Sequence, residues 1–280
     1  MPQENFSKAT LIVLGHGSTK NTESSAPVYQ HASELRGRKI FHEVREAFWK
    51  QEPQIKQVLA NVSSPQIFIA PLFISEGYFA SEVIPRELGF PPGQSTLHSQ
   101  LSTLLYCQPI GTHDSMTGVL LARAREVIAK FPFPRLPKAK ETTLFIAGHG
   151  TEQNKDSSKA IDRQVELIRA MNEYATVHSV FMEQSPRIPE VFSLAQTKNI
   201  VVLPFFISDG MHTQEDIPVL LGEPERIVKQ RLASGQPTWR NPTERNGKLI
   251  WYSPAVGTEP QIAYVILERV REAANCSGGL

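Results

Sequence analysis

Leu144-Phe145-Ile146-Ala147-Gly148-His149-Gly150-Thr151 decides how this chain is to be read. Four apolar residues in a row predict a buried strand, and the Gly-His-Gly-Thr after them predicts a tight turn at its C-terminal end. An open α/β sheet binds its ligands at that edge, so the phrase delivers one imidazole to a binding position. The same phrase stands earlier as Leu11-Ile12-Val13-Leu14-Gly15-His16-Gly17-Ser18. One unit therefore occurs twice, and its copies can be compared position by position.

The register between the copies is constant over a long stretch. His149 follows His16 by 133 residues, as Pro204 follows Pro71 and Pro218 follows Pro85. Gly257 follows Gly111 by 146, which places 13 extra residues in the second copy. We assign them to a surface loop around 235–246. Strands are predicted at 11–14, 44–49, 67–74 and 101–106, then again at 144–147, 177–182, 200–207 and 248–252. Helices are predicted between them, and the amphipathic helices 113–130 and 261–274 close the two copies. The proline-rich run 131–138 reads as a linker. This organisation gives a first lobe at 1–130, a linker at 131–140 and a second lobe at 141–280. Strands alternating with helices predict an α/β fold with parallel sheets covered on both faces.

With the offset fixed, the informative positions are those where the chemistry changes. His16 and His149 match. Lys50 stands opposite Glu183, and Phe79 stands opposite His212. The second copy thus has His149, Glu183 and His212 just past three predicted strand ends, which converge on one edge of a parallel sheet. Two imidazoles and one carboxylate suit a borderline divalent cation such as Fe2+, Co2+, Ni2+ or Zn2+. In the first copy Phe79 and Lys50 remove two ligands and add a repelling charge, so the second copy is the expected working site. Glu215 is the candidate partner that orients His212, whereas Asp216 is read as a helix cap. His31, His42, His98, His113 and His178 are read as structural.

Composition adds bounds. The chain has 280 residues, 40% hydrophobic and 20% charged, with a net charge of +1. No global field favours nucleic acid or an anionic membrane. The two cysteines, Cys107 and Cys276, have no metal-binding spacing, and a reducing cytosol fits them. The polar start carries no apolar signal core, and no apolar run is long enough to span a bilayer. A cytoplasmic protein without nucleic-acid or membrane partners is expected.

Gly148-His149-Gly150-Thr151, Phe181-Met182-Glu183, Leu203-Pro204-Phe205-Phe206 and Gly210-x-His212-x-x-x-Asp216-Ile217-Pro218 resemble the class II tetrapyrrole chelatases. The likeness is strongest to the sirohydrochlorin chelatases of siroheme and cobalamin biosynthesis, in their long, two-repeat form. The resemblance implies two flavodoxin-like lobes with a cleft between them. It also implies a lyase that inserts Co2+ or Fe2+, or Ni2+ in some members, into sirohydrochlorin or a related tetrapyrrole without ATP. The metal is then a substrate, and no cofactor is permanently bound. His149 and His212 become the metal-binding and proton-accepting histidines, with Glu183 as their acidic partner. The long bacterial members keep their histidine pair in the N-terminal half, where this chain has Phe79. The C-terminal placement looks more like the periplasm-type cobalt chelatases and the protoporphyrin ferrochelatases.

Removing two pyrrole protons suits neutral imidazole, with its reference pKa of about 6.5. A metal substrate also needs open coordination positions rather than a closed cage. The carboxylates of sirohydrochlorin call for cations, for which Arg187, Arg86 and Lys50 are candidates. They also call for backbone N–H groups, for which Ser18, Thr19 and Thr151 are candidates. His16 is not assigned a ligand role. Two other readings are a non-catalytic metal or tetrapyrrole carrier and a phosphoryl-transfer histidine enzyme. The latter needs an arginine beside the strand-end histidine, which this sequence lacks. A tandem chain already supplies both lobes, which is compatible with a monomer.

Overall fold

A computed structural model describes residues 6–19, 22–151 and 156–277. Its first strand, β1 (Phe6–Gly15), is buried without interruption from Ala9 to Gly15. Such a run has no polar face because both sides of the strand are covered. β1 therefore lies inside its sheet, between β2 (Phe41–Phe48) and β3 (Gln66–Pro71), parallel to both. Two further strands complete it: β4 (Thr96–His98) and β5 (Thr103–Tyr106). The order is β2-β1-β3-β5-β4. Its helices are α1 (Ala26–Gly37), α2 (Ile55–Ala60) and α3 (Ile84–Glu87). Ile12, Leu14, Ile67 and Ile69 from the strands pack with Ile55, Val58 and Ile84 from the helices.

After α4 (Met116–Lys130) the pattern repeats. The second sheet consists of β6 (Thr142–Gly148), β7 (Thr176–Phe181), β8 (Asn199–Pro204), β9 (Thr243–Arg245) and β10 (Lys248–Tyr252). Their order is β7-β6-β8-β10-β9, the same as in the first sheet. The helices are α5 (Asp156–Met171), α6 (Val191–Leu194), α7 (Ile217–Leu220), α8 (Glu225–Ala233) and α9 (Ile262–Ser277). The α/β class and the duplication are as read from the sequence. No helix among the described residues is long and apolar enough to cross a membrane.

Four expectations need correction. The sheets are mixed: four strands are parallel, but β4 and β9 pair antiparallel with β5 and β10 at the edges. Both edge strands are three residues long and half-exposed or exposed, so no apolar run marks them. The second correction concerns the 13 extra residues. Thr243 pairs with Ile250 as Leu97 pairs with Leu104, so the longer offset already holds at β9. The insertion therefore precedes 243 and is built around α8. Val228 is the buried side chain of that helix, so it lacks a stripe that sequence could show. Glu223, 6% exposed, pins it by accepting from Arg231 (3.1 Å) and Arg245 (2.8 Å).

The third concerns the linker: residues 131–140 lie within one compact unit, Asp114–Glu259, rather than between two. The carbonyl of Phe131 accepts from Trp251 Nε1 at 2.9 Å, which ties this segment to β10. The fourth is the lobe boundaries, because the closing helices are exchanged. One compact unit is Met1–His113 with Pro260–Leu280, and the other is Asp114–Glu259. In the first, α9 packs on β3 and β5. Its buried Arg269 donates to the carbonyl of Pro109 (3.1 Å) and to Thr112 Oγ1 (2.6 Å). In the second, α4 packs on β8 and β10, and Arg123 donates to Thr258 Oγ1 at 2.9 Å.

Candidate metal-binding site at the strand-order switch

Strand order reverses between β6 and β8 in the second unit, since β7 lies on one side of β6 and β8 on the other. Loops leaving the C-terminal ends of two such strands diverge to opposite faces and open a crevice there. His149 follows β6 and His212 follows β8, so both strand-end histidines belong to this point.

Gly148 and Gly150 hold the first imidazole. A Cβ on Gly148 would lie 2.2 Å from Ile161 Cδ1, so the glycine lets α5 close on the strand end. Gly150 has φ +65°, which favours glycine, and a Cβ there would also meet Phe181 Cβ at 2.7 Å. Between them His149 Nδ1 lies 3.0 Å from the Gly150 carbonyl. A carbonyl only accepts, so Nδ1 carries the proton and Nε2 presents a lone pair. The Glu183 N–H donates to the His149 carbonyl at 3.1 Å, which brings its side chain alongside. Glu183 Oε2 is 3.7 Å from His149 Nδ1.

The second imidazole sits on a π-helical turn, His212–Asp216, leading into α7. Pro218 has no N–H to give Gln214, and the turn widens so that Ile217 N–H reaches back to the His212 carbonyl. Tyr252 on β10 anchors this turn by donating its buried hydroxyl to the Thr213 carbonyl at 2.6 Å. Burial holds that phenol well above its usual range, so it remains a donor. His212 Nδ1 lies 2.7 Å from Asp216 Oδ2. The two rings stand edge to face, 5.0 Å apart between centroids. Their side chains are 38% and 45% exposed, so a ligand can reach them.

Of the predicted residues, His149, His212 and Glu183 thus come together. Among the described residues, however, no three His, Cys, Asp or Glu side chains are set to hold a metal ion as they stand. Glu215 does not orient His212: its carboxylate is 3.9 Å from Lys229, and the adjacent Asp216 makes the contact. Residues three and four positions after His212 both share its helical face, so spacing alone does not separate the two. Tyr252 was missed, although Tyr106 matches it at the offset of 146 and donates to the Ala80 carbonyl at 2.8 Å.

The first unit repeats the frame with other chemistry. His16 Nδ1 is 2.9 Å from the Gly17 carbonyl, and Phe79 lies 5.2 Å from the His16 ring. Phe79 also packs against Trp49 and Phe73. The Lys50 N–H donates to the His16 carbonyl at 2.9 Å, as Glu183 does to His149. Ser18 N–H is already given to Gln51 Oε1 at 2.9 Å. Of the candidate cations, Arg187 donates to the Glu183 carbonyl at 3.3 Å, while Lys50 and Arg86 are exposed.

Comparisons with known proteins follow the duplication. The CbiX family model matches residues 10–127 and again 143–273. The chain is 42% identical to a probable sirohydrochlorin cobaltochelatase of Halobacterium salinarum, over 94% of this chain and 91% of that one. A sirohydrochlorin cobaltochelatase of Methanopyrus kandleri is 29% identical over 46% of this chain and 95% of its own length, so it corresponds to one copy. Among solved structures, the multi-domain DR2241 of Deinococcus radiodurans, described as similar to chelatases, gives a TM-score of 0.76 at 26% identity. The match covers 95% of this chain and 55% of that one, so the chain spans about half the length of DR2241. SirB of Bacillus subtilis with Fe3+ gives 0.67 at 20% identity over 97% of this chain and 98% of that one, and shares its fold. Matched once by each of its two copies, the chain belongs to the CbiX family.

Proposed function

We propose that this chain is a lyase that inserts Co2+ or Fe2+ into sirohydrochlorin without ATP. The observation that carries the reading is the His149–His212 pair, whose Nδ1 atoms are both occupied as donors and whose Nε2 lone pairs are thereby left for a cation. The Halobacterium relative, similar over nearly its whole length, supports sirohydrochlorin as the macrocycle and cobalt as one metal. In this reading Nε2 of both rings takes up the hydrated cation. Glu183 rotates its exposed carboxylate to supply the charge of a third ligand. Two pyrrole N–H protons leave as two metal–nitrogen bonds form, and the imidazoles and Glu183 accept them as they let the cation go. Two or three weakly held ligands suit a metal that must be handed on. The acting species is read as a cytoplasmic monomer with no resident cofactor.

The test is anaerobic metallation of sirohydrochlorin followed by absorbance, with the wild type, His212→Ala and His16→Ala. Loss of rate in His212→Ala but not in His16→Ala is the expected result. A wild type that binds the ring without accelerating metallation would make the chain a carrier instead. One that does neither would remove sirohydrochlorin as the substrate.

A further inference from the structure

We infer that Asp216 is a positioning residue of the metal site: by accepting from His212 Nδ1 it fixes the tautomer and orientation that aim the Nε2 lone pair at the cation. The 2.7 Å contact is short, as expected for a carboxylate accepting from a ring N–H. A carboxylate behind a metal-binding imidazole holds its ring and raises its donor strength.

Comparison of the copies separates this role from that of a helix cap. The same five-residue π-helical turn forms in both units, as His212–Asp216 and as Phe79–Val83. Both turns are followed by Ile-Pro, and a buried tyrosine hydroxyl anchors each. Val83 stands where Asp216 stands, so the turn forms without a carboxylate. The two substitutions also go together. Where the imidazole is replaced by Phe79 the carboxylate is replaced by Val83, whereas the neighbouring Glu82 and Glu215 match. Asp216 thus follows the imidazole and not the backbone. His149 Nδ1 instead bonds the Gly150 carbonyl at 3.0 Å, an arrangement that His16 shares with Gly17, and the Glu183 carboxylate stays beyond hydrogen-bond distance at 3.7 Å. The second histidine of the pair is therefore held by a different, charged acceptor.

Only the kinetic arm of the test rests on the chelatase reading. Long-range nitrogen–proton NMR reads the His212 tautomer directly, at about pH 8, where an ordinary imidazole is neutral. Wild-type His212 should show the Nδ1–H form, and Asp216→Ala should shift it toward Nε2–H. Titration with Co2+ alone, followed by its visible absorption, should show affinity reduced about 10- to 100-fold. In sirohydrochlorin metallation kcat should fall by a similar factor with KM for the macrocycle unchanged. Asp216→Val, which copies Val83 of the equivalent turn and offers no acceptor, covers the case in which the alanine variant folds poorly, and Glu215→Gln should match the wild type throughout. An unchanged tautomer in the Asp216 variants would overturn the inference, as would an altered tautomer with unchanged Co2+ affinity. If wild type holds Co2+ but metallates nothing, the functional reading fails, while the tautomer and the affinity still decide the role of Asp216.

Discussion

Glu183 and His178 show how the setting of one side chain decides what its loss should do. Glu183 is 59% exposed, and its backbone N–H rather than its carboxylate binds the strand end. Glu183→Gln keeps that frame and removes a charged ligand and proton acceptor. Steady-state metallation should show kcat reduced on the order of 100-fold, with thermal unfolding unaltered. His178 is the opposite case, lying inside β7 with its ring stacked on Phe145 and Nε2 buried without a partner. Burial, and secondarily the Arg169 charge, hold its pKa below the usual 6.5. At and below about pH 6.5 the unfolded chain therefore binds the proton more readily than the folded one, so stability falls as pH falls. Denaturation midpoints at about pH 7.5 and about pH 5.5 should show a smaller loss for His178→Phe than for wild type. Both residues were legible as types and places in the sequence. The exchange of roles between Glu215 and Asp216 was not, because adjacent residues on a short helix can be told apart only once the π-helical turn fixes which one faces His212.

The element that matters most is the turn carrying His212, and its support comes from the next strand. Tyr252 on β10 and Tyr106 on β5 each donate a buried hydroxyl to the equivalent carbonyl, that of Thr213 or of Ala80. Replacing either tyrosine by phenylalanine leaves a buried carbonyl unsatisfied, which costs about 1–2 kcal/mol. Both variants should show that loss in urea denaturation. Tyr252→Phe should in addition slow metallation, because its turn carries an imidazole, whereas Tyr106→Phe should not, because its turn carries Phe79. Equal metallation rates in the two would separate the turn from the chemistry. At this scale the long parallel strands were readable because burial on both faces makes them continuously apolar. The short edge strands β4 and β9 and the helix α8 were not, because each is held by sheet pairing or by the Glu223 ion cluster and buries few apolar side chains.

At the scale of the whole chain, the exchange of closing helices determines which fragment can fold alone. The apolar stripes of α4 and α9 would suit either sheet, so neither periodicity nor the repeat offset could show which helix covers which. The decisive contacts are long-range: Arg269 with Pro109 and Thr112 in one unit, Arg123 with Thr258 in the other. Without α9, the first unit loses a helix that buries Ile262, Val265, Ile266, Leu267 and Val270. At about 2 kcal/mol for each buried side chain this is roughly 10 kcal/mol, comparable to the whole stability of a domain. Loss of α4 removes Met116, Val119, Leu120, Val127 and Ile128 from the second unit, with a similar effect. A fragment of residues 114–259 keeps its closing helix, the Asp114–Arg163 ion pair and the hydrogen bond from Thr117 to Gln164. It also carries His149, Glu183, His212 and Asp216. It should fold cooperatively, with near-UV circular dichroism from buried Trp239 and Trp251, and should bind Co2+. The fragment 141–280, cut where the repeat alone would place the boundary, carries α9 without its sheet and lacks α4. It should show no cooperative melt. A cooperative 141–280 beside an unfolded 114–259 would mean that each repeat closes on its own helix, and the exchange would have to be abandoned.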